Sequence, residues 1–297
     1  MRLPGLKFVL AACLLSAAAG GSFVPGQARA QQQAASSQAG SDTSTAEDNN
    51  GQDLTRPQDL FQLRYLYQTA LGSGISRGSV RTVTTYSEIL RMDKEFDLGP
   101  EWKWALRGDL PFTERNPLTA DNPAGNFLQG IGDADVQATV IHQFDARWAA
   151  GAGVRIIAPT GDDNLTSGKW QAQPVVGARY SLPELSDGSY FEPVVRYAVS
   201  FAGDPSKRDI SNLQFAPMFN VALPDHWFVT FYPTPDIRLN YGDAITGQTG
   251  RLFLPLDFMV GRSVGKALTI SAEFGVPIIR DYPVYNFKSL ARLNFRF

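Results

Sequence analysis

The final stretch of the chain constrains the fold more than any other. From Tyr285 to Phe297 the side chains alternate. Tyr285, Phe287, Ser289, Ala291, Leu293, Phe295 and Phe297 fall on one face; Asn286, Lys288, Leu290, Arg292, Asn294 and Arg296 fall on the other. A period of two is a strand with one oily and one wet side. A strand of this kind that ends on an aromatic residue is how bacterial outer-membrane barrels close, and such a strand addresses a chain to the outer-membrane assembly machinery.

The opposite end of the chain carries a matching signal. Arg2 and Lys7 precede an apolar stretch from Phe8 to Gly20, and Ala28-Arg29-Ala30 forms an A-x-A cleavage site. Residues 1–30 therefore read as an export signal, too short for a spanning helix. A rival cut at the lipoprotein-like box before Cys13 leaves a very short apolar segment. Cys13 is the sole cysteine, so the exported chain has no disulfide. A formal charge of −2 excludes the footprint of a nucleic-acid binder. Residues 31–59 are polar and of low complexity. They lack the apolar surface that offsets ordering entropy, so a disordered tail is expected; a plug entering a wet barrel is the alternative.

From Leu60 to Phe297 twelve alternating segments follow one another: 60–71, 80–91, 101–112, 133–144, 147–158, 169–181, 189–201, 211–222, 226–234, 250–262, 266–278 and 285–297. The expected fold is all-β, a transmembrane antiparallel up-and-down barrel of about 12 strands. An even number puts both barrel termini on the periplasmic side. The connections on that side are short, as at Asp145-Ala146, Pro224-Asp225 and Val264-Gly265. Those on the other side are longer, notably 113–132 and 235–249. Trp102, Trp148, Trp227 and Phe297 gather at the periplasmic strand ends, and Phe112, Trp170 and Phe201 at the outer ends. These are girdle positions. Two features resist the pattern. The 80–91 segment has Thr on both faces, and Pro174, Pro193, Pro217 and Pro255 fall inside strands, where proline removes a ladder donor.

Several segments, taken in order, resemble a known family. GIGDADVQATV carries Gly130, Gly132 and Asp133. APTGDDNLTSGKWQAQPVVGARYSL carries Pro159, Thr160, Gly168, Lys169 and Trp170. NLQFAPMFNVALPDHWFVTFYP and FLPLDFMVGRSVGKAL follow. Together they resemble the outer-membrane barrel family labelled "MetA-pathway of phenol degradation". The resemblance implies an outer-membrane pore for small, often aromatic, molecules, and turns built on those eight motif residues. This chain stops at Phe297, where the family often adds a short basic tail.

The phases assign about ten basic groups to the lumen against about six acidic ones. Candidate lumen-lining residues are Arg64, Lys103, Arg107, Asp109, Arg155, Arg179, Glu192, Arg196, Arg251, Asp257, Glu273 and Arg292, joined by Arg296, Asp133 and Asp135. The plain interpretation is that these pairs brace the wall. The functional one is a mildly anion-favouring filter. The Gly/Asp turns at Gly130–Asp135 and Gly161–Asp163 invite a calcium reading, but turns select these residues for backbone reasons alone. Catalysis of the lipase kind needs a Ser–His pair. His142 points to lipid and His226 sits in a tight turn, and no catalytic or cofactor motif surrounds either. The expectation is a passive channel for small solutes, hydrophobic or aromatic compounds among them, in the outer membrane, with no cofactor and no catalytic residue. The alternative is a closed structural or surface-binding barrel.

Overall fold

The computed structural model describes residues 51–76, 79–119 and 122–297, without the side chains of 72–81. The export signal and residues 31–50 of the polar segment lie outside the described residues.

The described strands are β1 Leu60–Ser76, β2 Ser79–Asp97, β3 Trp102–Arg115, β4 Leu128–Ile131, β5 Asp135–Gln143, β6 Trp148–Ile157, β7 Lys169–Ser181, β8 Tyr190–Gly203, β9 Ser211–Ala222, β10 Trp227–Phe231, β11 Ile237–Asn240, β12 Leu252–Val264, β13 Leu268–Arg280 and β14 Phe287–Arg296. All pairings are antiparallel, and β1 closes on β14 from Leu60 opposite Arg296 to Thr69 opposite Phe287. β4 pairs with β3 alone and forms a hairpin beyond the wall. β10 and β11 both lie between β9 and β12, so they are two halves of one stave. The wall thus has twelve staves and no free edge.

Alternation fixes which side chains see lipid. On β1, Phe61 and Leu63 face out while Gln62 is fully buried inside; on β12 and β13, Asp257 and Glu273 point in and Leu256, Phe274 and Val276 point out. Trp102, Trp148, Trp227 and Phe297 are exposed at the end that carries both strand termini, and Phe112, Trp170 and Phe201 at the other. Apolar outside, ionic inside and an aromatic ring at each rim make a wall suited to a bilayer of the outer-membrane type. In such barrels the end with both termini is periplasmic.

The structure settles both irregularities. On β2, Arg91 and Asp93 are buried inside while Leu90 and Met92 face out, which fixes the phase that the threonines leave open. The prolines fall opposite one another, Pro193 against Pro217 and Pro255 against Pro277, the latter beside a bulge at Leu254/Pro255. The β7–β8 ladder skips rungs at Gln173–Pro174 and at Ala178–Arg179. The missing donors cluster, so the barrel loses rungs at a few places and not along a whole strand.

Three boundaries need correction. The outer connection expected over 235–249 begins later, because Tyr232–Asp236 bows out of line and the wall resumes as β11. Tyr232 takes a left-handed φ of 51° and donates its N–H to the Asp257 carbonyl at 2.9 Å. Tyr285, expected to face lipid, precedes β14 and is buried against Phe253 inside the barrel, ring centroids 4.7 Å apart. Finally, the polar segment expected to be disordered as far as residue 59 is ordered from Gly51. It crosses the bore, because it meets there the partners that composition alone does not reveal.

Candidate functional site

The crossing segment, residues 51–57, is a strap held at both walls. The ideal Cβ of Gly51 would fall 2.6 Å from Asn294 Nδ2, and a left-handed φ of 74° again requires glycine there. Asp53 pairs with Arg179 at 2.8 Å, both buried, and its other oxygen accepts the N–H of Thr55 and Arg56 at 2.8 and 3.0 Å. The Leu54 N–H donates to Glu192 Oε1 at 3.0 Å. The Leu54 side chain packs on Val175, Val194 and Ala216. The niche is cut into the wall at Gly177, where a Cβ would stand 3.1 Å from Leu54 Cδ2. Fully burying a leucine is worth about 1.5–3 kcal/mol, and Leu54, half-buried, gains part of that.

Above the strap lies a chamber of about 260 Å3, floored by Gln52 and Leu54. Below it, toward the periplasmic end, is a vestibule of about 290 Å3 lined by Arg56, Pro57, Glu101 and Lys103 among others. A gap of only about 20 Å3, beside Asp93, Arg107, Gln137 and Thr139, lies along the strap between them.

One wall of the chamber is rich in arginine. Arg91 grips Asp109 with two bonds of 2.7 and 2.8 Å, and Arg64 bonds the same carboxylate. Arg155 lies 3.7 Å from Asp109 and 3.0 Å from Asp135. Arg107 is held bidentately by Asp93 at 2.9 and 2.6 Å. Arg196 faces the same space and makes no hydrogen bond or ion pair among the described residues. Five guanidinium groups thus meet three carboxylates, an excess of two positive charges.

The opposite wall is balanced. The Lys288 ammonium bonds Asp236 at 2.5 Å, Asp257 at 2.7 Å and also Glu273. Arg292 bonds Glu273, and Arg238 bonds Asp236 at 2.8 Å. Three cations meet three carboxylates. Among the described residues, Asp236, Asp257 and Glu273 are the one group of three acids close enough to share a metal ion, their oxygens within 4.8 Å. The ammonium already bonded to all three supplies the charge and the donors that a cation would bring.

Of the expected lumen set, Arg64, Arg107, Asp109, Arg155, Arg196, Asp257, Glu273 and Arg292 come together in these two walls. Arg179 and Glu192 hold the strap. Lys103 stands at the vestibule, 3.4 Å from Glu95, and Arg296 reaches Thr269 at 3.4 Å near the same end. Arg251 is corrected: β12 begins one residue after it, and it lies exposed in the outer connection over the Tyr241 ring, 5.6 Å away. Asp133 is likewise outside the lumen, because β5 begins only at Asp135.

Asp133 instead bolts two outer connections together. Its carboxylate accepts from Thr166 Oγ1 at 2.5 Å, Ser167 N at 2.8 Å, Ser167 Oγ at 2.6 Å and Gly161 N at 3.3 Å. Thr160 Oγ1, after Pro159, accepts the Ala134 N–H at 2.9 Å and donates to the Gly132 carbonyl at 3.2 Å. A Cβ at Gly130 would collide with Asp162 Oδ2 at 1.7 Å. Gly168 has φ 67°, Lys169 pairs with Asp209 at 2.8 Å, and Trp170 faces the outer rim. The motif residues fasten loops, and Asp133 spends its lone pairs on protein donors, which leaves little for a calcium ion.

Arg91, Asp93, Asp236, Arg238 and Lys288 are absent from the expected set. Lys288 stood on the wet face of the terminal strand and could have been found there. His142 stacks on Trp102 at 4.3 Å at the periplasmic rim, and His226 lies in the turn between β9 and β10.

The chain resembles several solved barrels. It aligns with an outer membrane channel from Pseudomonas putida F1 at 17% identity and TM-score 0.64, over 81% of this chain and 96% of that one. The NanC porin aligns at 12% identity and TM-score 0.47 over 80% and 98% of the two chains. The toluene transporter TbuX of Ralstonia pickettii aligns at 10% and 0.45 over 82% and 90%. No curated protein matches the sequence. The first alignment agrees with the barrel fold described above. The sequence model of a family described as "Putative MetA-pathway of phenol degradation" matches residues 40–232, about two thirds of the chain, and with the order of motifs and the barrel now in view, the chain belongs to that family.

Proposed function

We propose that the chain is an outer-membrane channel that passes small solutes passively, with a mild preference for anions. The observation that carries this is the arginine-rich wall. Five guanidinium groups face three carboxylates around a chamber in line with a periplasmic vestibule. Fixed positive charge beside a narrow aqueous path attracts anions and slows cations. Twelve staves leave a bore between the filled eight-stranded barrels and the open sixteen-stranded porins, and the strap narrows it further. On this reading residues 1–30 are an export signal, the terminal strand engages the assembly machinery, and no chemistry is performed.

The test is a reversal potential in a salt gradient across a planar bilayer. The wild type is expected to favour chloride, and Arg107→Ala, Arg155→Ala and Arg196→Ala each to lower that preference. Unchanged selectivity in all three would refute the filter. One observation favours a second reading. The strap leaves a gap of only about 20 Å3, which suits a closed structural or surface-binding barrel. A protein that inserts yet passes no current, with or without residues 31–57, would establish that reading instead.

A further inference from the structure

The chamber above the strap has a chemical asymmetry that a simple conduit does not need. Arg196 is its one cation without a hydrogen bond or ion pair among the described residues. Arg64, Arg91 and Arg155 share Asp109, Arg107 has Asp93, and Arg238 and Lys288 have Asp236. Asp135 acts on Arg196 only at longer range and is already paired with Arg155 at 3.0 Å. An unpaired guanidinium that is partly withdrawn from water is costly unless an anion reaches it.

The ground on which Arg196 stands is apolar. Across the sheet it faces Val175 on β7 and Gln214 on β9, and its neighbours on the inner surface are Val194 and Ala216. Val175, Val194 and Ala216 are buried, and Leu54 of the strap covers them. A bare chloride or phosphate would use the charge and waste this floor. A hydrocarbon would use the floor and leave the charge unmet.

We propose that this chamber is a binding site for a small amphipathic monocarboxylate, its carboxylate on Arg196 and its apolar body on Leu54, the half-buried side chain that covers Val194 and Ala216. The space of about 260 Å3 far exceeds the ~10–15 Å3 that a single water requires, room for one ring bearing a carboxylate. The strap belongs to the site, since Leu54 supplies part of its floor. The proposal deepens the channel reading and relies on it for access from the bulk, while the site itself rests on the chamber.

The test uses benzoate on the full exported chain. In planar bilayers, benzoate is expected to reduce the chloride current in a saturable way. Acetate, with the charge and no body, and benzamide, with the body and no charge, are expected to leave it unchanged at the same concentrations. Arg196→Gln is expected to weaken the benzoate block about tenfold or more, each block being measured against that variant's own benzoate-free current, as the loss of a charge-assisted bond demands. Equal block by acetate, or an undiminished block in Arg196→Gln, overturns the site. If no variant carries current, the channel reading fails, and equilibrium dialysis of labelled benzoate against the purified barrel decides the site alone. Retention by the wild type that is lost in Arg196→Gln supports it, and no retention overturns it.

Discussion

The two walls of the lumen are built from the same residue types and solve opposite problems. On the β11–β14 side, Lys288 is clasped by three carboxylates and each acid has a cation. On the β1–β8 side, Asp109 serves three arginines at once, and Arg196 has no anion in contact among the described residues. A closed network with matched charge braces a wall and offers a solute nothing. An open one with surplus charge costs stability and leaves something to bind. On the proposed reading, that difference marks the half of the bore that meets the solute. It also predicts that substitutions on the two walls separate stability from selectivity.

The largest effect is expected at Lys288. Lys288→Met removes the shared cation of Asp236, Asp257 and Glu273 and leaves buried carboxylates facing one another. Breaking a buried pair by deleting one partner costs about 3–5 kcal/mol. The folded barrel should then lose its heat-modifiable mobility on a detergent gel at a much lower temperature than the wild type. Adding Asp257→Asn in the same chain should recover part of the loss, since Asp236 keeps Arg238 and Glu273 keeps Arg292. A Lys288→Met barrel as heat-resistant as the wild type would remove the bracing role of this wall.

Asp109→Asn should be intermediate and should act on both quantities. Arg64, Arg91 and Arg155 lose a shared anion, so stability falls by about 2–4 kcal/mol. The surplus of positive charge rises from two to three, so the reversal potential moves further toward chloride. A variant that loses stability with no change in selectivity would mean that the wall field does not reach the permeating ion.

Much of this was legible in the sequence, and the misses have physical causes. Where alternation is clean, as on β1, β3, β8 and β13, the lumen residues Arg64, Arg107, Arg196 and Glu273 could be read directly. Arg91 and Asp93 were hidden because threonines populate both faces of β2 and the apolar pattern fades before the strand ends at Asp97. Asp236 and Arg238 were hidden because Tyr-Pro-Thr-Pro-Asp has turn chemistry and the wall resumes after it. Arg251 and Asp133 were misplaced by strands that begin one or two residues late, which alternation cannot resolve. The strap could be offered only as the alternative of a plug, since Asp53 finds Arg179 and Leu54 finds its glycine-cut niche only once the barrel has closed.

The smallest expected effect on stability is the most telling. Arg196 has Arg155, Arg107 and Arg91 as like-charged neighbours, Asp135 only at longer range, and no carboxylate in contact among the described residues. Deleting a paired arginine strands an acid; deleting this one strands nothing and relieves like-charge repulsion. Arg196→Gln keeps polar bulk in the chamber and should raise the unfolding temperature slightly, by no more than about 1 kcal/mol of stability. Arg107→Gln, one wall residue with its own Asp93, should lower it by about 2 kcal/mol or more. Thermal unfolding of the two variants in one detergent sorts the arginines into braces and bait. If Arg196→Gln proves as costly as Arg107→Gln, the guanidinium has a structural partner and the chamber loses its ligand.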